Sequence, residues 1–342
     1  MVGSRVRAVV VSAPGEAAVE DVPPPVAGPG EAVVDILRAG VCGTDNELFT
    51  GEMAYVADGI TRFPLRPGHE WVGRVRAVGP GADPRWLGRR VTGDTMIGCG
   101  ECARCRSGRH HVCEFRDELG IRGDRPGALA ERIAVPVRSL LELPDTVDDA
   151  MGALVEPGGN AYRAVRAAAL EPGDRLLIAG AGTVGLLSAL FARADGADVH
   201  LLDPSPRARS LARELGFDDT AEHESLLEGP WDAVIDASND PRPPARAVEL
   251  VEPGRRVVFV GLAARPSLVD TRRLALKDVT AVGILGASDG LWGTIASYAS
   301  GAVDPRPLVA ATLPLEELIP VLGGARPPGS GLGPKFHAVP RS

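Results

Sequence analysis

The sequence of 342 residues predicts an α/β protein in which a small β-barrel-like domain is joined to a doubly wound parallel sheet. Its length exceeds the needs of one ordinary α/β core, so two domains are expected. In residues 5–144, short apolar runs alternate with Pro and Gly turns, a pattern typical of many short barrel strands. After Gly158, apolar runs alternate with helical segments, which predicts a parallel sheet covered by helices.

The first informative turn of the barrel-like domain contains a single cysteine. Residues 32–38 are expected to form a strand that leads to Cys42, and residues 44–49 a short helix with Thr44 or Asp45 as its N-cap. Cys42 therefore lies at a turn between strand and helix, where side chains point into clefts. Such a cysteine is either a buried apolar side chain or a metal ligand.

The other four cysteines are grouped in one loop with the spacing CxxCxxCx₇C: Cys99, Cys102, Cys105 and Cys113. Four thiolates at this spacing can close a tetrahedral shell around a structural Zn²⁺, which stabilises a loop without a core of its own. Disulfides are one alternative, but they are rare in a cytosolic chain. An iron–sulfur cluster is another, although the fourth cysteine lacks the ferredoxin spacing and the proline that follows it there.

The remaining thiol has companions that suggest a second metal site. Once the four-cysteine loop has used its own members, Cys42 can be grouped with His69, Glu70 and the more distant Glu156. One thiolate, one imidazole and one or two carboxylates form a three-ligand site with an open position, as in a catalytic zinc site. Whether Glu70 or Glu156 would be the direct ligand stays open at this point.

The second domain is organised around residues 175–203, which read as strand, glycine turn, helix and second strand. The turn contains the candidate cofactor-binding residues Gly180, Gly182, Thr183, Val184 and Gly185. Its glycines permit a tight turn and a close approach to pyrophosphate over the helix N-terminus. Asp203 ends the second strand, where a carboxylate can bond an adenosine ribose and repel a 2′-phosphate. This favours NAD over NADP, although a glycine turn without a nucleotide is an alternative.

Further elements are expected on either side of this core. The expected helices cover residues 160–170, 205–216, 243–251, 290–301 and 315–324. The expected strands cover residues 231–238, 255–262, 279–287, 308–315 and 334–340.

Charge and hydrophobicity exclude two classes of partner. The net charge of −8 gives nucleic acid no electrostatic reason to bind. Residues 176–192 are uncharged over nearly the length of a membrane span, but three glycines interrupt the run and Arg193 and Asp195 follow it. The N-terminus has no adequate signal-peptide core, so a cytoplasmic protein is expected.

Together these motifs resemble those of the zinc-containing medium-chain dehydrogenase/reductases, the zinc alcohol dehydrogenase family, over essentially the whole length. In the family's order they are GVCGTD at residues 40–45, GHExxGxxxxxG at 68–79, the four-cysteine loop, LVEP at 154–157 and GAGTVG at 180–185. The resemblance implies three parts: a GroES-like catalytic domain at residues 1–157 with a structural zinc lobe at about 94–115, a Rossmann domain at 158–286, and a segment at 287–342 that returns to the catalytic domain. It also implies a homo-oligomer, either a dimer or a tetramer.

Within the family, the chain is most similar to the polyol and glucose dehydrogenase branch. Glu156 stands where simple alcohol dehydrogenases have cysteine, and Glu47 stands where many relatives have a proton-relay histidine. Glu118 resembles a sugar-hydroxyl contact of glucose dehydrogenases. The function implied is hydride transfer between NAD(H) and a secondary alcohol or ketone of a polyol, sugar or (amino)cyclitol.

The resemblance also implies roles for individual residues. Zn²⁺ held by Cys42, His69 and a glutamate would lower the pKa of a substrate hydroxyl. Thr44 would accept a hydrogen bond from that hydroxyl and pass the proton outward through the cofactor ribose and Glu47. Asp45 would orient the imidazole of His69, unless it is only a helix cap.

Two rival functions are compatible with the same residues. The first is a zinc-dependent NADPH carbonyl reductase, in which Arg207 and Arg209 would contact the 2′-phosphate. The second is a non-catalytic scaffold that binds zinc or the cofactor, since a fold does not by itself imply activity.

Overall fold

The computed structural model describes residues 5–223 and 229–341, and the chain divides into two units. The first unit takes in Met1–Glu156, Val309–Gly331 and Lys335–Ser342. The second unit takes in Pro157–Leu308 and Leu332–Pro334. The second unit is therefore an insert in the sequence of the first.

The first unit is mainly built of short strands. Up to the insert it contains β1 Val6–Ala13, β2 Glu16–Val22, β3 Glu31–Val41, α1 Gly43–Thr50, α2 Ala54–Ala57, β4 Glu70–Val78, β5 Arg90–Gly93, β6 Met96–Ile97, α3 Ala103–Arg106, β7 Asp117–Glu118, β8 Arg132–Pro136, β9 Leu140–Glu142 and α4 Asp149–Ala153. Helix α5, Val155–Ala168, then leads into the second unit.

The second unit alternates strands and helices. It contains β10 Arg175–Ala179, α6 Thr183–Ala194, β11 Asp198–Leu202, α7 Pro206–Glu214, β12 Thr220–Ala221, β13 Trp231–Asp236, α8 Pro243–Leu250, β14 Val251–Phe259, α9 Thr271–Leu276, β15 Thr280–Gly283 and α10 Leu291–Ala299. The first unit is completed by β16 Val309–Leu313, α11 Leu318–Leu322 and β17 Lys335–Ala338.

The main sheet of the first unit has seven strands. Its order is β16-β17-β3-β4-β5-β9, and β8 also pairs with β3. The long strand β3 is central because its residues Ala32, Val33, Val34 and Ile36 are buried and β-branched or small side chains suit a pleated surface. Strand β17 lies between β16 and β3, so a late part of the chain is in the interior of this sheet.

The sheet of the second unit has six strands in the order β12-β11-β10-β13-β14-β15, and every pair in it is parallel. The order reverses beside β10, which is the arrangement of a doubly wound dinucleotide-binding fold. The α/β fold class predicted from the sequence is confirmed. No helix of residues 5–223 and 229–341 combines the length and the hydropathy that a membrane span needs.

The boundaries of several elements differ from the sequence prediction. Helix α1 begins at Gly43 with Cys42 as its N-cap, so Thr44 and Asp45 are inside the helix. Helix α5 begins at Val155 rather than at residue 160, and Glu156 lies in its first turn. The first turn of a helix tolerates proline because the N–H groups there have no partner within the helix, so Pro157 does not prevent this earlier start.

Residues 287–308 lie in a different unit from the one that the sequence predicts. They were expected in the returning C-terminal segment, but they lie in the second unit. The aromatic contacts of α10 explain the difference, because the Tyr298 ring stacks on Phe191 at a centroid distance of 6.1 Å. Phe191 in turn packs edge-on against Tyr162 at 5.5 Å. The chain returns to the first unit only at β16.

Candidate metal and cofactor sites

The four-cysteine loop brings its sulfur atoms together, with all four lying within 4.8 Å of one another. The Sγ atoms of Cys99 and Cys105 are 3.9 Å apart, and those of Cys102 and Cys113 are 3.8 Å apart. Four sulfurs at about 2.3 Å from a tetrahedral zinc would be about 3.8 Å from one another. All four cysteines are free of disulfides. The donor set therefore fits the predicted structural zinc.

Backbone N–H groups support these sulfurs. The N–H groups of Cys102 and Cys105 donate to the Sγ atoms of Cys99 and Cys102 at 3.4 Å each. The N–H groups of Glu101 and Cys102 lower the pKa of the Cys99 thiol to about 6. Since the thiolate is the form that binds metal, this side chain is ready to bind at neutral pH.

The second group comes from different strands. The donor atoms of Cys42, His69 and Glu70 all lie within 4.8 Å of one another. Cys42 follows β3 and Glu70 begins β4, and the antiparallel pairing of the two strands places Gly40 opposite Glu70. A Cβ atom at Gly40 would lie only 2.3 Å from Glu70 Oε2. Only glycine therefore leaves room for this carboxylate beside the turn that carries Cys42.

The carboxylate of Glu70 has one paired and one unpaired oxygen. Its Oε1 is paired with Lys335, whose Nζ also donates to the carbonyl oxygen of Val41 at 3.1 Å. Its Oε2 is buried and has no hydrogen-bond partner among the residues that the structure describes. An orphaned carboxylate oxygen between a thiol and an imidazole fits a bound cation, because an unpaired buried acceptor is otherwise costly.

Lys335 was missed by the sequence analysis. It comes from β17 and is 2 % exposed, while Glu70 is 0 % exposed. Burial opposes the charge of Lys335, but the neighbouring Glu70 and Cys42 outweigh burial and raise its pKa. A signal did exist in the sequence, because Lys335 is one of only two lysines in an arginine-rich chain.

Asp45 accepts hydrogen bonds from the two backbone segments that carry Cys42 and His69. It is fully buried, and its Oδ2 accepts the N–H of Cys42 at 2.8 Å while its Oδ1 accepts the N–H of Gly68 at 3.0 Å. The distance from Oδ1 to His69 Nδ1 is 3.4 Å, which is longer than a good hydrogen bond. Asp45 is thus more than a helix cap, since it ties the Cys42 turn to the strand end that carries His69.

Glu156 is not a member of the group of three. Glu156 is 7 % exposed in the first turn of α5. Its carboxylate is not among the donor atoms that come within 4.8 Å of one another. As the structure stands, Glu70 is the carboxylate beside Cys42 and His69.

The predicted proton-relay residues lie on α1. Thr44 is in its first turn and Glu47 in its second, and both side chains are half-buried. Burial, followed by the neighbouring charge of Glu52, raises the pKa of Glu47. A carboxyl with a raised pKa is better matched to proton exchange near neutral pH than an ordinary glutamate.

Glu118, the predicted sugar contact, belongs to a buried network. Its Oε1 accepts hydrogen bonds from Nε of Arg116 at 2.8 Å and from the Tyr55 hydroxyl at 3.2 Å. Tyr55 lies on α2, in the loop between α1 and β4. The network therefore links this loop to β7.

The glycine turn of the second unit has the geometry that the motif predicts. Gly180 has a φ of 97°, and a Cβ atom at Gly185 would lie 1.8 Å from the Gly180 carbonyl oxygen. No heavy atom lies within 4 Å of a Cβ built on Gly182, which is the N-cap of α6. The open space at this helix N-terminus fits a pyrophosphate.

Asp203 closes this turn at the end of β11. Its Oδ2 accepts the N–H of Ala181 at 2.7 Å and its Oδ1 accepts the N–H of Ser205 at 2.8 Å. Arg209 donates to the Asp203 carbonyl oxygen at 2.7 Å and is paired with Glu222 at 3.0 Å. Its charge is therefore already compensated, whereas Arg207 is exposed.

Comparisons with known proteins match both units. A family model described as an alcohol dehydrogenase GroES-like domain matches residues 28–145, and one described as a zinc-binding dehydrogenase matches residues 183–300. An L-threonine 3-dehydrogenase from Idiomarina loihiensis is 30 % identical over 310 residues, which are 87 % of this chain and 89 % of that protein. The chain belongs to the zinc alcohol dehydrogenase family.

Solved structures agree with this assignment. A zinc-binding dehydrogenase from Sinorhizobium meliloti 1021, bound to NADP, is 27 % identical with a TM-score of 0.89 and covers 98 % of this chain and 100 % of its own. An alcohol dehydrogenase from E. coli CFT073, complexed with NADH, has a TM-score of 0.90 at 23 % identity and covers 98 % of this chain and 100 % of its own, which shows the fold. This zinc alcohol dehydrogenase family member is thus an enzyme that uses zinc and a nicotinamide cofactor.

The two candidate sites of this dehydrogenase divide the predicted residues clearly. The structure brings together the four thiols of the loop, and separately brings together Cys42, His69 and Glu70 with Asp45 beside them. It adds Lys335 to the second set and leaves Glu156 outside it. The residues of the glycine turn and Asp203 lie together in the second unit.

Proposed function

We propose that this dehydrogenase transfers a hydride between NAD(H) and a secondary alcohol or ketone of a polyol, sugar or (amino)cyclitol. The observation that carries the proposal is the buried group of Cys42, His69 and Glu70, in which Glu70 Oε2 has no hydrogen-bond partner among the described residues. A thiolate, an imidazole and a carboxylate are the donor types of a catalytic zinc site with an open position.

The residues around this group have separate tasks in the proposed reaction. Bound Zn²⁺ would supply the Lewis acidity that lowers the pKa of a substrate hydroxyl. Cys42, His69 and Glu70 hold the ion, and Glu156 is the alternative carboxylate. Lys335 fixes the other oxygen of Glu70, so that the carboxylate keeps one orientation.

The proton is assigned a route along α1. Thr44 would accept a hydrogen bond from the substrate hydroxyl, and Glu47, one turn further along α1, would take up the proton. The raised pKa of Glu47 supports this role, because burial and Glu52 make its carboxyl easier to protonate. Asp45 acts indirectly, by holding the backbone of Cys42 and Gly68 in place.

The substrate class is supported by three acids. Glu156 and Glu47 stand in positions that suit the polyol branch, as the motif comparison implies. Glu118 is proposed as a contact for a substrate hydroxyl, with Arg116 and Tyr55 both bonded to its Oε1 and Oε2 assigned to the substrate. One relative is named for threonine, which is also a secondary alcohol.

NAD is proposed as the cofactor because of the charges near Asp203. The carboxylate of Asp203 closes the turn, and Arg209 is neutralised by Glu222. The second candidate is an NADPH-dependent carbonyl reductase. It is favoured by the exposed Arg207 and by the similarity to the Sinorhizobium meliloti structure that is bound to NADP. A structural zinc in the four-cysteine loop is expected for both candidate functions.

A homo-oligomer and a cytoplasmic location complete the proposal. Strand β15 is at the edge of the parallel sheet, and near it Leu268 and Leu276 are 89 % and 87 % exposed. An unpaired edge beside exposed leucines suits a contact with a second copy. Four reduced thiols in one loop suit a reducing compartment.

The test is a substrate panel with metal analysis. Purified, zinc-loaded protein is mixed with polyols, sugars, aminocyclitols and threonine, and nicotinamide absorbance is followed with NAD and with NADP. We expect two zinc ions per chain and turnover of a polyol-type alcohol with NAD. A preference for NADP above tenfold would overturn the cofactor assignment, and an inert protein with only the lobe zinc would overturn the catalytic site.

The choice between the two carboxylates is tested separately. Glu70→Gln should lose the catalytic zinc and most turnover, because Gln lacks the anionic donor. Glu156→Gln should keep the zinc, because Glu156 lies outside the group of three. The reverse pattern would assign the ligand to Glu156.

A further inference from the structure

A pocket in the first unit is lined by residues that the proposed reaction does not use. Its volume is about 280 Å³, and it is lined by Arg66, Arg125 and Arg132 together with Asp117 and Asp124. The volume is at the lower end of the range for pockets that take small molecules. None of these residues belongs to the group of Cys42, His69 and Glu70.

Two of the three arginines have carboxylate partners. Arg125 Nη1 lies 2.9 Å from Glu31 Oε1, and Arg132 Nε lies 2.8 Å from Asp35 Oδ1. The second carboxylate is shared, because Asp35 also binds Arg76 at 3.3 Å and Arg341 at 2.8 Å. Arg125 and Arg132 are therefore already paired behind the pocket, which leaves Arg66 as the third arginine of its lining.

Arg66 has no counter-charge of this kind. Among the residues that the structure describes, no carboxylate oxygen lies within 4.0 Å of its guanidinium, and its side chain makes no hydrogen bond. The side chain is half-buried, and burial lowers its pKa. A cation that is partly withdrawn from water without a partner destabilises the fold unless an anion compensates it.

Arg125 lines the same pocket as Arg66. Its Nε is buried and has no hydrogen-bond partner among the described residues. The nearest acidic atom is Asp117 Oδ2, at 3.7 Å, which is too far for a hydrogen bond. Because this Nε is shielded from solvent, the unpaired donors that a ligand in the pocket can reach are those of Arg66.

We propose that this pocket binds a small hydroxylated metabolite that carries one oxyanion group, either a phosphate or a carboxylate. Guanidinium groups suit this chemistry because their N–H donors match oxyanion oxygens in pairs. The oxyanion lies against the guanidinium group of Arg66, with Arg125 and Arg132 on the same lining. Asp117 and Asp124 accept hydrogen bonds from the hydroxyl groups, which explains why acids line a pocket that attracts anions.

The pocket is connected to the segment that carries His69. The carbonyl oxygen of Arg66 accepts the N–H of Gly127 at 2.8 Å, and the carbonyl oxygen of Gly68 accepts the N–H of Ala128 at 2.8 Å. A ligand that contacts Arg66 and Arg125 therefore bridges two backbone segments that are already hydrogen-bonded. Binding should stabilise this part of the first unit against thermal unfolding, and it does so whatever the substrate of the dehydrogenase is.

The experiment uses the full-length, zinc-loaded protein without nicotinamide cofactor, at constant ionic strength. Glycerol 3-phosphate, glycerate, inorganic phosphate and glycerol are titrated by calorimetry, and melting temperatures are recorded with each. We expect saturable binding of glycerol 3-phosphate or glycerate, weaker binding of inorganic phosphate and none of glycerol. The first two probes distinguish a phosphate ligand from a carboxylate ligand. Failure of all the oxyanions to bind at millimolar concentration overturns the proposal.

Arg66→Gln is the decisive variant, and Arg62→Gln is its matched control because Arg62 is exposed and does not line the pocket. Arg66→Gln should raise the dissociation constant at least tenfold while leaving the ligand-free melting temperature equal or higher, since an unpaired cation is removed. Arg62→Gln should bind as the native protein does. Unchanged binding in Arg66→Gln would place the probe elsewhere, for example at the cofactor turn, and would refute the site. If Arg66→Gln fails to fold, Arg66→Lys must show the weakened binding instead.

Discussion

The two candidate metal-binding groups of this dehydrogenase are assembled in opposite ways. The four-cysteine loop draws all its ligands from residues 99–113, and backbone N–H groups of the same loop support the sulfurs. The other group draws Cys42, His69 and Glu70 from two strands, and its charge partner Lys335 lies 265 residues from Glu70 in the sequence. The first group is a local feature, whereas the second depends on the whole sheet of the first unit.

This difference has an energetic side. The loop has few apolar contacts of its own, since Cys99 is exposed and only Cys113 is buried among its cysteines. Metal binding then contributes directly to its folding. The second group is held in place by the sheet and by Asp45, so the proposed ion would contribute mainly to chemistry. Substitutions in the four-cysteine loop should therefore mainly lower stability, whereas substitutions in the group of Cys42, His69 and Glu70 should mainly lower activity.

Cys102→Ser should have the largest effect on stability. It removes one of four thiolates and the N–H···S contact that the sulfur accepts from Cys105, and we expect a loss of about 5 kcal/mol in the free energy of unfolding of the lobe. Denaturant unfolding and zinc analysis would measure it. Serine at the exposed, non-ligand position Ala103 of the same loop is the control, and an unchanged unfolding curve for Cys102→Ser would contradict a structural zinc.

Cys42→Ser should instead lower the rate. We expect kcat to fall by about 10³-fold, equivalent to about 4 kcal/mol in the activation free energy, because the ion that activates the substrate hydroxyl is lost. The melting temperature and the lobe zinc should stay near their native values. Steady-state kinetics measure the fall in kcat, and zinc analysis measures the metal content. A variant that has lost one zinc ion and is still active would contradict a catalytic role for the ion at Cys42.

Lys335→Met tests whether Lys335 and the proposed metal ion both compensate the negative charge of the buried Glu70 carboxylate. Removing the lysine leaves Glu70 buried without a cation, which should cost about 3 kcal/mol in the metal-free protein. With zinc bound the loss should be smaller, because the ion supplies the missing positive charge. Unfolding with and without a chelator compares the two cases, and Lys335→Arg keeps the charge as a control. Equal losses with and without zinc would mean that Glu70 does not contact the ion.

Glu47→Gln should have the smallest effect, and it depends on pH. A carboxyl whose pKa is raised by folding contributes stability below its unfolded pKa and loses that contribution as the pH rises through the folded pKa. Burial and Glu52 raise the pKa of Glu47, so its replacement should stabilise the protein slightly at pH 7 and not at pH 4. Solvent screening limits the gain to about half a kcal/mol.

The same variant also tests the proton route. The acidic limb of the pH profile of kcat should change in Glu47→Gln if the carboxyl exchanges protons with the substrate. Glu52→Gln is the control, because it alters the nearby charge and keeps the carboxyl of Glu47. A profile identical to that of the native enzyme would remove Glu47 from the reaction.

Features with short sequence spacing could be predicted, and features that depend on the folded sheet could not. The spacing of the four cysteines and of Gly180, Gly182 and Gly185 indicates their geometry because neighbours in sequence determine it. The pairing of Lys335 with Glu70 was missed because it requires β17 to lie beside β3. The first turns of α1 and α5 were placed too late because Cys42 and Pro157 at helix starts are weak signals without the tertiary structure.

The ion pairs of the folded chain explain why the unpaired Arg66 could not be predicted from the sequence. The unpaired state of Arg66 is invisible in a chain with 37 basic and 45 acidic residues, where any arginine has many possible partners in the sequence. Only the distances show which carboxylates are already used by Arg125 and Arg132. The position of residues 287–308 was likewise decided by ring contacts of Tyr298 and Phe191 rather than by any local pattern.

The insertion of the second unit within the first has a consequence for folding order. Strands β16 and β17 rejoin the first unit after an insert of about 150 residues, and closing a disordered loop of that length costs about 4 kcal/mol in chain entropy. An already folded insert holds its two ends in defined places and removes most of this cost. Mutations that unfold the nucleotide-binding part should therefore also delay the arrival of Lys335, leaving nascent chains with a half-assembled metal pocket.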